Sequence, residues 1–184
     1  MVEELGSLER KFCAADTMRL EDDGRIEGYA SLFGAVDAGG DIVLPGAYAA
    51  SLKRLAGRGG AVKMLWQHDP AQPIGVWESV AEDGRGLYVK GRLLNAVEKG
   101  REAAALLAAG AIDGLSIGYR TVRAERDGKG RRLLSELELW EVSLVTFPML
   151  QNARVGAKAE APEDPDLRQM AGVFDAARRA LAEL

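Results

Sequence analysis

The chain has 184 residues, 47% of them hydrophobic and 28% charged, which suits one soluble globular domain. Its formal charge of −4 argues against a nucleic-acid-binding protein that works through bulk positive charge. One cysteine, Cys13, and one histidine, His68, exclude an internal disulfide and any multi-histidine or multi-cysteine metal site, and we expect no cofactor. No apolar run approaches the ~20 residues that span a bilayer, and the acidic N-terminus does not resemble a signal peptide. We therefore expect a cytoplasmic protein without membrane or nucleic-acid partners.

Apolar alternation and turn residues predict a chain built mainly of strands. In chain order, the predicted elements are strands 12–19 and 25–33 around a turn at 21–24, a loop at 41–46, a helix at 47–55, a strand at 62–67, strands 75–81 and 86–94 around a turn at 82–85, a helix at 96–109 closed by Gly110, and strands 116–125, 132–139 and 141–146. About seven strands joined mostly by hairpins, with few helices, predict an α+β chain that is mainly β and forms a small barrel or a strongly curved sheet.

The composition changes near residue 156. Residues 1–155 read as one domain, whereas 156–166 carry prolines and charges without a large apolar residue, as an exposed linker does. Residues 167–184 place apolar side chains at steps of three and four, which predicts an amphipathic helix that must dock elsewhere.

His68 lies where an apolar strand ends and the turn Asp69-Pro70 begins, a position that fixes a side chain while leaving it accessible. The alternative is a histidine that only caps a turn. Ser116 stands between Gly114 and Gly118. Gly-x-Ser-x-Gly resembles the nucleophile elbow of hydrolases, but here the serine follows a helix and begins a strand, the reverse of that elbow. A strand bend that needs small residues is the alternative interpretation.

Glu141 shares a strand face with Ser143 and Val145 by alternation. A carboxylate in such an apolar strand needs a partner, and an imidazole would serve; exposure on a solvated edge is the alternative. Together Ser116, His68 and Glu141 would supply a hydroxyl, a base and an acid, the components of a serine nucleophile.

Five segments in this order resemble the prohead (capsid maturation) proteases of tailed bacteriophages and of phage-like gene transfer agents. The resemblance covers about residues 26–155 and rests on Gly-Tyr-Ala-Ser-Leu-Phe (28–33), Gly-Asp-Ile-Val-Leu-Pro-Gly-Ala (40–47), Leu-Trp-Gln-His-Asp (65–69), Gly-Leu-Ser-Ile-Gly-Tyr (114–119) and Glu-Val-Ser-Leu-Val-Thr-Phe-Pro (141–148).

The resemblance implies a serine endopeptidase with the fold of the herpesvirus assemblins, a small β-barrel ringed by helices. It places the nucleophile on Ser116, the base on His68 and the third member on Glu141, with Glu138 and Asp113 as competitors. The loop that would hold the oxyanion donors falls on Met149, Leu150 and Gln151.

The resemblance further implies a homodimer that acts inside the procapsid, in the host cytoplasm, on scaffold or on the scaffold-like arm of the major capsid protein, and on itself. The C-terminal helix would then be a removable targeting or docking segment. Two alternatives are a non-catalytic capsid-assembly or scaffold protein, and a serine esterase or amidase that acts on small molecules.

Overall fold

A computed structural model describes residues 9–14, 19–20, 23–37 and 39–146, and side chains from residue 23 onward. Within these ranges the chain forms nine strands and two helices. Their bounds are β1 Glu9–Ala14, β2 Arg19–Leu20, β3 Arg25–Leu32, β4 Asp41–Val43, α1 Ala49–Gly57, β5 Lys63–Trp66, β6 Asp69–Glu82, β7 Gly86–Leu93, α2 Glu98–Ala108, β8 Gly114–Arg126 and β9 Arg132–Val145.

All the described strands belong to one sheet in the order β1-β8-β9-β5-β6-β7-β3-β2, with β4 also paired to β9. Strands β4 and β5 run parallel to β9 along one of its edges, and β8 runs antiparallel along the other. The sheet curls so that β3 contacts both β1 and β8. The mainly-β class with a strongly curved sheet is therefore confirmed.

Strand β9 is buried on both faces over its last five residues, 141–145. Helix α1 packs against β9, and the Ser51 hydroxyl accepts a hydrogen bond of 2.9 Å from the backbone N–H of Leu139. That bond explains a buried serine in an amphipathic helix, because a buried backbone N–H needs an acceptor. The apolar core thus surrounds the strand that carries Glu141.

The predicted hairpin of β6 and β7 and both helices are confirmed. The prediction of one strand at 12–19 is wrong, because Glu9–Ala14 pairs with β8, and the hairpin to β3 is made by β2 alone. The predicted loop at 41–46 contains β4, which is extended because it adds to the edge of β9. Strands 132–139 and 141–146 are one continuous strand, β9. Three short strands, β1, β2 and β4, raise the count above the expected seven.

The predicted linker at 156–166 and the predicted helix at 167–184 lie outside the described residues. In the described part of the chain, no helix has the length and apolar character that crossing a membrane requires.

The turn between β6 and β7 is organised by Asp83. Its Oδ1 accepts hydrogen bonds from the backbone N–H groups of Arg85 (2.7 Å) and Gly86 (2.9 Å), and its Oδ2 accepts one from the Tyr29 hydroxyl (2.5 Å). The bond from Tyr29, followed by the two backbone donors, lowers the pKa of Asp83 below its ordinary value. The folded state therefore favours the ionised carboxylate.

We expect Asp83→Asn to lower the free energy of unfolding at neutral pH. Because the folded pKa is depressed, the contribution of the carboxylate is complete above the ordinary aspartate pKa of about 4 and disappears as the pH falls through the lowered value. Urea unfolding of both proteins across this acidic range should show their stabilities converging. A difference that stays constant with pH would contradict the prediction.

Candidate active site

His68 lies in a tight turn of two residues that connects β5 to β6. The ladder pair of these strands that closes the turn is Trp66 and Asp69. Gln67 and His68 have positive φ angles of 51° and 63°, the only non-glycine residues with this conformation in the described part of the chain. This left-handed conformation costs ~1–2 kcal/mol for each such residue. It persists because β9 binds the turn: the N–H of Gln67 donates to the Leu144 carbonyl (3.0 Å), and the N–H of His68 donates to Ser143 Oγ (3.2 Å).

Ser116 and Glu141 are brought together by the register of β8 against β9. Ser116 is directly opposite Ser143, and Gly118 is directly opposite Glu141. Residues two apart on a strand share a face, so these four positions form one block beneath the histidine turn. A Cβ at position 118 would lie 2.1 Å from Glu141 Oε1 and 2.9 Å from its Cγ, so only a glycine leaves room for the carboxylate.

A continuous chain of hydrogen bonds joins the three candidate side chains. Ser116 Oγ is 2.6 Å from His68 Nε2, and His68 Nδ1 is 2.5 Å from Glu141 Oε1. An ionised carboxylate can only accept, so Nδ1 carries the proton and Nε2 is left to accept from the serine hydroxyl. The second carboxylate oxygen, Oε2, accepts from Ser143 Oγ at 2.5 Å.

The three side chains are almost wholly shielded from water. Ser116 is 0%, Glu141 4% and His68 7% exposed. Low polarity around a charged or polar group strengthens its hydrogen bonds and makes an unpaired group costly. The donors from His68 and Ser143 are therefore what allows a carboxylate to be buried at this position.

The competing acids lie elsewhere. Glu138 pairs with Arg120 beyond the register shift between Gly118 and Tyr119, and its Oε2 accepts bonds of 3.0 Å and 2.6 Å from that arginine. Asp113 is half-buried in the loop before β8. Asp69, beside the histidine, accepts from the Ala71 N–H and from the Gln72 side chain. The structure brings Ser116, His68 and Glu141 together and leaves these three carboxylates apart from them.

The candidate oxyanion residues Met149, Leu150 and Gln151 lie outside the described residues. Among the residues that are described, no group of three or more histidine, cysteine, aspartate or glutamate side chains could hold a metal ion.

Sequence reasoning missed two parts of the site. It placed Ser143 on the face of Glu141 but assigned it no contact, and it treated Gly118 as a small residue beside Ser116 rather than as space for a carboxylate. The signal for both was the pairing of β8 with β9, since the alternation of either strand alone does not show which residues face each other.

We expect Gly118→Ala to destabilise the fold by about 1 to 3 kcal/mol, because the new methyl group displaces a buried carboxylate from its two donors. The matched control is Gly128→Ala in the turn between β8 and β9, where a Cβ would meet nothing within 4 Å. The control should stay within about 0.5 kcal/mol of the wild type in urea unfolding. Equal stabilities for the two variants would contradict the packing described above.

Comparison with known proteins places these residues in a family. Residues 14–166 match the family model described as caudovirus prohead serine protease. The prohead protease of Enterobacteria phage HK97 is 35% identical over 137 residues, which cover 73% of this chain and 60% of that protein. The chain therefore spans less than two thirds of the length of this relative.

The solved structure of the bacteriophage T4 capsid assembly protease has the same fold, with a TM-score of 0.56 at 19% identity over 76% of this chain and 99% of that one. The resemblance drawn from the five sequence segments is confirmed: the chain belongs to the caudovirus prohead serine protease family.

Proposed function

We propose that this protein is a serine endopeptidase of capsid maturation. In it Ser116 is the nucleophile, His68 is the general base, and Glu141 orients the imidazole and stabilises its protonated form. The observation that carries the proposal is the buried hydrogen-bond chain from Ser116 Oγ through the imidazole to the Glu141 carboxylate. A serine hydroxyl becomes an effective nucleophile only when a neighbouring base can take its proton.

The first half-reaction transfers the acyl group to the enzyme. Ser116 Oγ attacks the carbonyl carbon of the scissile peptide bond while His68 Nε2 takes the hydroxyl proton. When the tetrahedral intermediate collapses, the C–N bond breaks and the same proton passes from Nε2 to the leaving amine. The product is an ester between Ser116 and the N-terminal part of the substrate.

The second half-reaction repeats these steps with water. His68 Nε2 takes a proton from the water that attacks the ester carbonyl, and it returns that proton to Ser116 Oγ as the C–O bond breaks. Both half-reactions form an imidazolium, which the Glu141 carboxylate stabilises through Nδ1. The loop of Met149, Leu150 and Gln151 remains our prediction for the donors that bind the developing oxyanion.

The names of the relatives indicate the substrate class. One is called a prohead protease and the other a capsid assembly protease. We therefore assign to this chain the cleavage of scaffold or of the scaffold-like arm of the major capsid protein, and of itself, in the host cytoplasm and inside the assembling procapsid. A homodimer is the assembly expected for this activity, and the predicted helix 167–184 would be a removable targeting or docking element.

Co-expression with the cognate capsid protein and scaffold tests the function. Cleavage products in the wild type should disappear in Ser116→Ala and His68→Ala, since loss of either group lowers turnover by at least about 1,000-fold. Glu141→Gln should also lower cleavage strongly, because an amide cannot stabilise the imidazolium as a carboxylate does. The products are measured by mass spectrometry.

Ser79→Ala, an exposed serine on β6, is the matched control and should process normally. Persistent cleavage by folded Ser116→Ala would reject Ser116 as the nucleophile. Assembly that proceeds with no cleavage by the wild type would favour the non-catalytic capsid-assembly role.

A further inference from the structure

We infer that Ser143 is a positioning residue of this active site, a fourth member whose single hydroxyl fixes both the acid and the histidine turn. This inference rests on the proposed function of the site. It assigns to Ser143 no contact with substrate; its effect passes through Glu141 and His68.

The hydroxyl of Ser143 is used in two directions. As a donor it binds Glu141 Oε2 at 2.5 Å, and as an acceptor it binds the backbone N–H of His68 at 3.2 Å. One hydroxyl hydrogen and one lone pair meet both partners without conflict. The bond to the carboxylate is charge-assisted and has the length typical of O–H···O⁻ pairs, ~2.5–2.7 Å.

The two bonds fix what matters for proton transfer. The Glu141 carboxylate would be free to rotate about its last side-chain bond if only Oε1 were held, and rotation would weaken the bond to His68 Nδ1. The backbone of His68 has the left-handed conformation, with φ at 63°. Such a conformation persists only where the surrounding structure holds it. Ser143 Oγ binds both the Glu141 carboxylate and the backbone N–H of His68, so it fixes the position of the carboxylate relative to the imidazole.

The position of Ser143 excludes a role as a second nucleophile. Its hydroxyl hydrogen is committed to a carboxylate, whereas the hydroxyl of Ser116 faces an imidazole nitrogen that can take its proton. It also stands directly across the ladder from Ser116. The same pair of strands thus presents one serine to the imidazole ring and the other to the acid.

The test compares Ser143→Ala with two other variants of the full chain. Ser143→Thr keeps a hydroxyl at this position. Ser31→Ala is the matched control, because Ser31 is also buried and its Oγ has no hydrogen-bond partner in the described structure. We expect Ser143→Ala to lower kcat about 10- to 100-fold with little change in KM, Ser143→Thr to recover part of the loss, and Ser31→Ala to match the wild type.

A second readout does not depend on activity. His68 is the only histidine of the chain, so the ring-nitrogen signals of selectively labelled protein in NMR come from this residue alone. In Ser143→Ala the Nδ1–H resonance should shift and exchange faster with water, and the backbone N–H of His68 should lose protection from hydrogen exchange. In Ser143→Thr both should return toward the wild-type values.

The inference is overturned if folded Ser143→Ala keeps the wild-type kcat and the wild-type imidazole spectrum. It is also overturned if kcat falls while the Nδ1–H resonance and the exchange of the His68 N–H do not change, since Ser143 would then act by another route. A wild type that cleaves nothing would instead reject the proposed function, and the NMR comparison would still decide whether Ser143 positions the pair.

Discussion

A carboxylate buried beside an imidazole is the constraint around which the described structure is arranged. Removing an ion from water costs several kcal/mol even after the protein relaxes, so Glu141 can stay at this depth only with donors on its oxygens. His68 supplies one donor and Ser143 the other, while the absence of a side chain at Gly118 supplies the space. The same bond orients the imidazole toward Ser116. The hydrogen bonds that allow the Glu141 carboxylate to be buried therefore also prepare the Ser116 hydroxyl to lose its proton.

Strand β9 makes this arrangement possible because it pairs with β8 on one edge and with β5 on the other. The edge toward β8 presents the nucleophile, and the edge toward β5 ends at the histidine turn, so three distant parts of the chain meet within two ladders. A central strand is strongly constrained, since both of its edges are hydrogen-bonded, and residues 141–145 of β9 are also buried on both faces. Two of the three candidate side chains, Ser116 and Glu141, are consequently carried by paired strands, and His68 lies in the turn that β9 holds.

Much of this could be predicted from the sequence, and the limits have physical causes. Hairpins such as β6–β7 and the helix α2 can be predicted from local sequence, through turn residues and helix-forming composition. Ser116, His68 and Glu141 could be singled out because each is chemically unusual where it stands: the only histidine, a serine between glycines, a carboxylate in an apolar strand. Strands β1 and β4 could not be placed, because they are extended by pairing with β8 and β9 and carry too few residues to show a period. The contacts of Ser143 and Gly118 could not be predicted either, since their partners are set by the register of β8 against β9 and not by neighbours in sequence.

The connection between β5 and β6 leaves the histidine no spare length. The single ladder pair Trp66–Asp69 closes around Gln67 and His68, so one residue more or fewer would either break that pair or turn the imidazole to the other face of the sheet, away from Ser116. Longer loops elsewhere in the chain can absorb an insertion at small cost. We therefore expect variation in length among homologues to spare this connection, even where its flanking strands have changed most of their side chains.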